Sequence, residues 1–489
     1  MIEKLNNLKS NLTFKYFEEI SKIPRESGNE KAISDYFVSF ARERNLEVIQ
    51  DEALNVIIKK PATKGYENIP GVIIQGHMDM VCEKNKDTNH DFKTDPIELR
   101  ICGDMLYANN TTLGGDDGIA VAYALAILDS DNIQHPRLEV LLTTEEETTM
   151  SGALKIDPRN LNGKILINLD SDEEGKLLVS SAGGANTKHI LPIEWEEVHD
   201  SYLAYSINIG GLKGGHSGID INKGRGNANK IIGRILYDLS KDFDIYLKEI
   251  NGGMKSSAIP RESEVVIFVK CKEIDFLTKE IYKWSTIIKN EFKTSDPEVC
   301  VEINKSDCKT NKVLSKDTME KAIISLLLIP NGIITMSMDI KELVESSSSL
   351  GVIRTLENEI VFESDVRSSI KSLKYCIINQ MEAVASLLNC KFIDDLHYPE
   401  WQYNSNSEVL QLFKKVYREK YQLDPQVIAI HAGIECGAFM EKMTYLDIIS
   451  YGPNVYDIHT PYEHLSISSV ERTWDFIISV LKEMINLTN

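Results

Sequence analysis

In the stretch QGHMDMV, His77 and Asp79 stand two residues apart, directly after the apolar run VII of residues 72–74. Side chains at i and i+2 of an extended chain share one side, so this ring and this carboxylate can touch. A carboxylate that orients an imidazole is the usual arrangement behind a metal-bound histidine, though the same contact also serves as a plain surface hydrogen bond. More acids and imidazoles occur in comparable places. Glu145, Glu146 and Glu147 close the run LEVLLTT (138–144), and Asp170 follows KILINL (164–169). Asp116 and Asp117 lie in the turn LGGDDG before IAVAYALAIL (119–128), and His459 lies in GPNVYDIHTP, just past YLDIISYG (445–452).

Each piece has an ordinary reading. A glutamate triplet is mostly a solvated turn, two aspartates before a helix can cap it, and a histidine in a proline-flanked loop commonly faces water. What matters is where the elements put them. VIIQ (72–75), LEVLLTT and KILINL are short apolar runs suited to strands covered on both faces. They are interleaved with helical periodicity at 13–23, 30–44 and 119–128, and follow extended patterns at 46–50 and 55–60. That alternation predicts an α/β layer with a mostly parallel sheet. In open sheets of this kind ligands bind outside the carboxyl ends of the strands. Five elements then deliver acids or imidazoles to a single edge, which separate coincidences explain poorly.

From about residue 186 the pattern changes to amphipathic strands, such as AYSINIG (204–210) and EVVIFVKC (264–271), with helices near 226–240, 274–292 and 369–388. After about 400 the doubly covered pattern resumes, with a helix at 407–421 and strands at 427–431 and 445–452. The predicted organisation is a catalytic layer formed by residues 1–185 and 401–489, interrupted by a large α+β insert at 186–400.

Composition narrows the function classes. The 489 residues carry a net charge of −20, which disfavours nucleic acid or an anionic membrane as partner. Eight scattered cysteines with no CxxC pair are not a disulfide framework, and point to a reducing, cytoplasmic setting. The opening MIEKLNNLKSNLTFKYF has no apolar signal-peptide core. The apolar stretch AIISLLLI (322–329) is too short to span a bilayer.

Two histidines and three carboxylates suit a pair of divalent ions with one carboxylate shared. Nitrogen and oxygen donors fit Zn²⁺, with Mn²⁺ or Co²⁺ as alternatives. Two such ions can activate one water and polarise a carbonyl together. A further carboxylate that is not a ligand is then needed as general base.

In this order HMDMV, TLGGDDGIAVA, TTEEETTMSGA, NLDSDEEG and DIHTP resemble the dizinc metallopeptidase clan of aminoacylases, carboxypeptidases and dipeptidases. GLKGGHSGIDI, GRGNANK and HAGIECG narrow the resemblance to the aminoacyl-histidine dipeptidases, and it extends over essentially the whole chain. The resemblance implies that His77, Asp116 and Asp170 hold one metal ion, and that Asp116, Glu147 and His459 hold the other. It makes Asp79 the partner of His77 and Glu146 the general base. The family turn usually reads ADNG where this chain has GDDG, so Asp116 takes the bridging place and Asp117 adds a carboxylate beside it. Alignment on the following M-S-G-A separates Glu146 from Glu147.

By the same resemblance the insert is a lid and dimerisation domain, and the protein a homodimer. His216, in GGHSG, would polarise the scissile carbonyl, and Arg367, in FESDVRSS, would grip the substrate carboxylate. Asn227, His431 and Glu435, from GRGNANK and HAGIECG, would complete the substrate site. The expected activity is hydrolysis of dipeptides with free N-termini, Xaa-His among them. An aminoacylase or deacetylase of the same clan is the alternative within the class. A catalytically dead metal- or peptide-binding scaffold is the alternative outside it, and would be expected to lack the base or a ligand.

Overall fold

The computed structural model describes residue 5 and residues 8–487. These form two compact units, one of residues up to Ser180 with Trp401–Ala429 and Ile434 onward, the other of Ser181–Glu400 with Ile430–Gly433.

The first unit is built on a sheet whose strand order is Glu47–Gln50, Val56–Lys60, Leu138–Thr143, Val72–His77, Ile165–Asn168, Asp447–Ser450, Lys176–Ser181, Gln426–Ile430. The four strands in the middle, from Leu138–Thr143 to Asp447–Ser450, run parallel. Antiparallel pairs extend the sheet toward Glu47–Gln50 on one side and attach Lys176–Ser181 on the other. VIIQGH, LEVLLT and ILIN are buried at every position, as the absence of a polar alternation in the runs predicts.

The helix Gly115–Asp129 is buried from Asp117 through Leu128. Its sequence offers no polar face, which is the signature of a helix enclosed on all sides. Asn11–Ile20 packs against it, burying Phe14, Phe17 and Ile20 on one stripe.

The second unit is a larger, antiparallel sheet. Its path runs Cys300–Lys305, Tyr202–Gly210, Ser263–Lys270, Tyr246–Gly252, Val344–Thr355, Glu359–Ser368, Gly183–Pro192, Lys391–Tyr398, with Gly332–Met336 paired alongside Val344–Thr355. The helices Ala228–Asp242, Ile274–Glu291, Lys316–Leu328 and Lys371–Leu387 share one apolar core with it, around Ile207, Ile232, Ile267, Leu326 and Phe362. Most of AIISLLLI falls inside Lys316–Leu328. Its nearly continuous apolar letters, broken only by Ser325, hide the helical period. Among the described residues no helix is long and apolar enough to cross a membrane.

Candidate active site

Three neighbouring parallel strands end at one edge of the first sheet. His77 is the last residue of Val72–His77, Glu145–Glu147 follow Leu138–Thr143, and Asp170 follows Ile165–Asn168. Asp116 comes to the same edge from the turn that opens the Gly115–Asp129 helix. Asp116 and Asp117 have non-helical backbone angles, their peptide bond is cis, and neither caps the helix.

The Asp116 carboxylate stands between two imidazoles. Its Oδ1 lies 3.1 Å from His77 Nε2 and its Oδ2 lies 3.2 Å from His459 Nε2. Asp170 Oδ1 is 3.9 Å from the same His77 nitrogen, and Glu147 Oε1 is 3.1 Å from His459 Nε2. The donors thus fall into two groups, His77–Asp116–Asp170 and Asp116–Glu147–His459, with Asp116 common to both. Glu146 closes a third group with His77 and Glu147.

Glu145 is turned elsewhere. Its carboxylate accepts from Ser151 and its amide donates to Glu30. Asp117 is turned inward, where Oδ2 accepts the His77 amide at 3.1 Å. A Cβ at Gly76 would lie 2.6 Å from that oxygen, so a glycine is needed there for the helix to approach the strand.

The electrostatics are those of a site built for cations. Burial, together with the charge of Asp116, pushes the Asp170 carboxyl well above the usual range. Burial raises Glu146 to about 8, with Glu435, Glu147 and Asp116 adding to the shift. On Asp116 burial acts upward but is overcome by hydrogen bonds to His459 and His77, so its carboxyl is lowered. Several buried carboxylates held this close repel unless a cation or proton joins them. Two imidazoles and three carboxylates are nitrogen and oxygen donors of the kind that hold Zn²⁺. The residues present fit a pair of divalent ions.

Below this edge lies a chain of buried polar side chains. Asn168 donates to Gln75 Oε1 at 2.6 Å, Gln75 donates to Glu435 Oε2 at 2.6 Å, and Thr143 donates to the same oxygen at 2.8 Å. Gln75 and Asn168 lie two positions before His77 and Asp170, and Thr143 lies three before Glu146. Glu435 itself is fully buried, and burial lifts its carboxyl to about 7. Two other buried charges reach the site, Arg25 and Glu463. Neither carries a motif or a periodicity that singles it out.

The remaining candidates belong to the second unit. His216 Nδ1 accepts the amides of Gly218 and Ile219, each at 3.1 Å. A nitrogen that accepts two N–H groups carries no proton, which leaves Nε2 as the donor of the neutral ring. Burial and the nearby Arg367 both lower the pKa of His216. Arg367 is itself buried, and its Nε donates to Asp365 Oδ2 at 2.7 Å. His431 shares a 2.7 Å hydrogen bond with Ser347 Oγ and is pushed down to about 3 by burial, Arg367 and His216. These groups form one cluster. Asn227 is engaged elsewhere in the same unit. It caps the Ala228–Asp242 helix through Lys230 N and spends its amide on Asn331 and Leu350.

The profile of peptidase family M20/M25/M40 matches residues 73–483, a span that contains every donor just described. This chain belongs to that family. The M20 chain is 36% identical to the cytosol non-specific dipeptidase of Escherichia coli strain K12 over 483 residues, 99% of each protein. It superposes on the crystal structure of aminoacylhistidine dipeptidase from Vibrio alginolyticus with a TM-score of 0.94 at 36% identity, covering 98% of both chains. The aminopeptidase PepT of Bacillus cereus shares the fold, with a TM-score of 0.58 at 14% identity over 98% of this chain and 99% of that one. This M20 chain is therefore a peptide hydrolase with an α/β fold of the dipeptidase type.

Proposed function

We propose that this M20 peptidase is a dinuclear metallo-dipeptidase that hydrolyses dipeptides with free N-termini, Xaa-His among them. The observation that carries the reading is the Asp116 carboxylate set between His77 and His459, one oxygen to each. A single hydrogen-bonded pair needs no such sharing, whereas two adjacent cations do. The dipeptidase names of the two relatives at 36% identity support the substrate class.

In this reading His77, Asp116 and Asp170 hold one divalent ion, and Asp116, Glu147 and His459 hold the other, Zn²⁺ by preference with Mn²⁺ or Co²⁺ as alternatives. Ions held by these residues would acidify water and polarise the scissile carbonyl. Glu146 takes the proton of the attacking water and returns it to the leaving amine. His216, with its proton on Nε2, donates a hydrogen bond to the carbonyl oxygen as charge develops. Arg367, anchored through Nε, keeps its two terminal nitrogens for the substrate carboxylate, and His431 lines that pocket. Glu435 supports the three strand ends from below, and Asn227 holds the insert helix. The protein acts in the cytoplasm as a homodimer joined through the insert.

The test is a panel of free dipeptides against N-acetylated amino acids, run on protein loaded with Zn²⁺, Mn²⁺ or Co²⁺ in turn. Cleavage of free dipeptides alone is the expected result. Preference for the N-acetyl compounds would make the protein an aminoacylase, and no turnover with any ion would make it a binding scaffold.

A further inference from the structure

The turn that carries Asp116 is gripped from two sides by charges that take no part in the chemistry described so far. Glu463, four residues after His459, is buried, and its two oxygens accept four successive backbone amides. The distances are 2.8 Å from Leu113, 3.0 Å from Gly114, 2.7 Å from Gly115 and 3.3 Å from Asp116. Arg25 is equally buried and takes the opposite polarity of the backbone. Its guanidinium donates to the Met78 carbonyl at 3.1 Å, the Asp79 carbonyl at 2.9 Å and the Gly114 carbonyl at 2.5 Å. A Cβ at Gly114, whose φ is +67°, would collide with this guanidinium, which accounts for a glycine at that point of LGGDDG.

Burying either charge is costly unless it is paired and hydrogen-bonded. Among the described residues Arg25 Nε has no side-chain or backbone acceptor, so the guanidinium is held by its two terminal nitrogens. Apolar side chains in their place would leave these four amides and three carbonyls without the partners described here. What the two charges do that apolar groups cannot is join three segments. Arg25 ties the His77–Asp79 segment to the Asp116 turn, and Glu463 ties the His459 segment to that same turn. The shared carboxylate is thereby fixed relative to both imidazoles.

We propose that Arg25 and Glu463 are positioning residues that set the spacing of the two metal sites by clamping opposite backbone groups of the Leu113–Asp116 turn. The inference rests on the dinuclear reading above. Because Asp116 is common to both sites, loosening its turn must weaken both ions, whereas loss of an ordinary ligand weakens mainly its own.

The test uses metal-stripped full-length protein, with Glu463→Gln and Arg25→Met beside the unsubstituted chain. Zn²⁺ is titrated in competition with a chromophoric chelator, and circular dichroism reports the fold. Loss of groups behind metal ligands typically weakens affinity about 10–100-fold. Both ions should weaken by that order in each variant, with the dichroism unchanged and kcat reduced more than KM is raised. Hydrogen exchange gives a measurement that needs no variant. In the metal-free parent the amides of residues 113–116 should be protected like those of the sheet, although they lie in a turn.

Unchanged affinity at both sites, or exchange of 113–116 at the rate of open loops, would overturn the inference while leaving the dipeptidase reading intact. If a variant does not fold, the exchange result decides alone. If the unsubstituted protein fails to take up two ions, the reading beneath and this inference fall together.

Discussion

His77 Nδ1 lies 3.3 Å from Asp79 Oδ1, with both side chains buried. The same carboxylate accepts the amides of Glu146 at 3.1 Å and Glu147 at 3.3 Å, and the hydroxyl of Ser27 at 2.8 Å. Asp79 therefore does two things at once. Its Oδ1 stands beside the His77 ring, and its oxygens hold the amides of the turn that presents the two glutamates.

Replacing Asp79 by alanine should weaken both metal affinity and turnover, by about 10–100-fold each, as expected for a group behind a ligand. The glutamate turn loses two acceptors as well, so the thermal midpoint of the metal-free protein should fall. Metal analysis, kinetics and a melting curve on one preparation check this. Unchanged metal content and kinetics would reduce Asp79 to an ordinary buried acid.

Glu146→Gln should keep both ions and lose about 10²–10⁴-fold in kcat, because it removes a general base and leaves the oxygens of Glu147 in place. Elemental analysis beside steady-state kinetics distinguishes the roles. Loss of one ion would mean that the two glutamates have exchanged parts.

Much of this site could be read in the letters because the chemistry sits at strand ends. Apolar runs such as VIIQ and KILINL declare buried strands, and the acids that follow them are delivered to one edge by the parallel pairing. The triplet EEE could not be resolved in the same way. Strand ends do not choose among the three acids. Alignment on M-S-G-A left Glu145 out, and the left-handed backbone at Glu145 (φ 52°) with its bond to Ser151 turns that acid away. Arg25 and Glu463 were invisible for a related reason. Their partners are backbone groups, which leave no complementary letter in the sequence. Asn227 is a different case, a residue singled out by a motif whose side chain caps a helix here, a contact that the motif alone does not announce.

In the metal-free protein, hydrogen bonds to Asp116 and Glu147 raise the His459 ring from the usual 6.5 to about 10. The ring is therefore protonated near neutral pH and must give up its proton to bind an ion. Zn²⁺ affinity should rise with pH across the neutral range. Calorimetric titrations in buffers of different ionisation enthalpy should report net proton release. Heats that do not depend on the buffer would contradict this.

His216→Ala should lower kcat more than it raises KM, since a donor to a developing oxyanion matters most in the transition state. If the proposed dimer places His216 in the partner's site, mixing His216→Ala with Glu146→Gln protein should restore part of the activity once subunits exchange. Mass-tagged subunits establish the exchange. Exchange without recovery would place His216 and Glu146 of one chain in the same site.

The shared Asp116 carboxylate is the centre of the account, and one titration addresses it directly. Zn²⁺ is added to metal-stripped protein while bound metal and hydrolysis of a free dipeptide are followed together. Activity should climb to its maximum only as the second ion per chain is bound, and a chelator should abolish it. Full activity with one ion bound, or with none, would contradict the account.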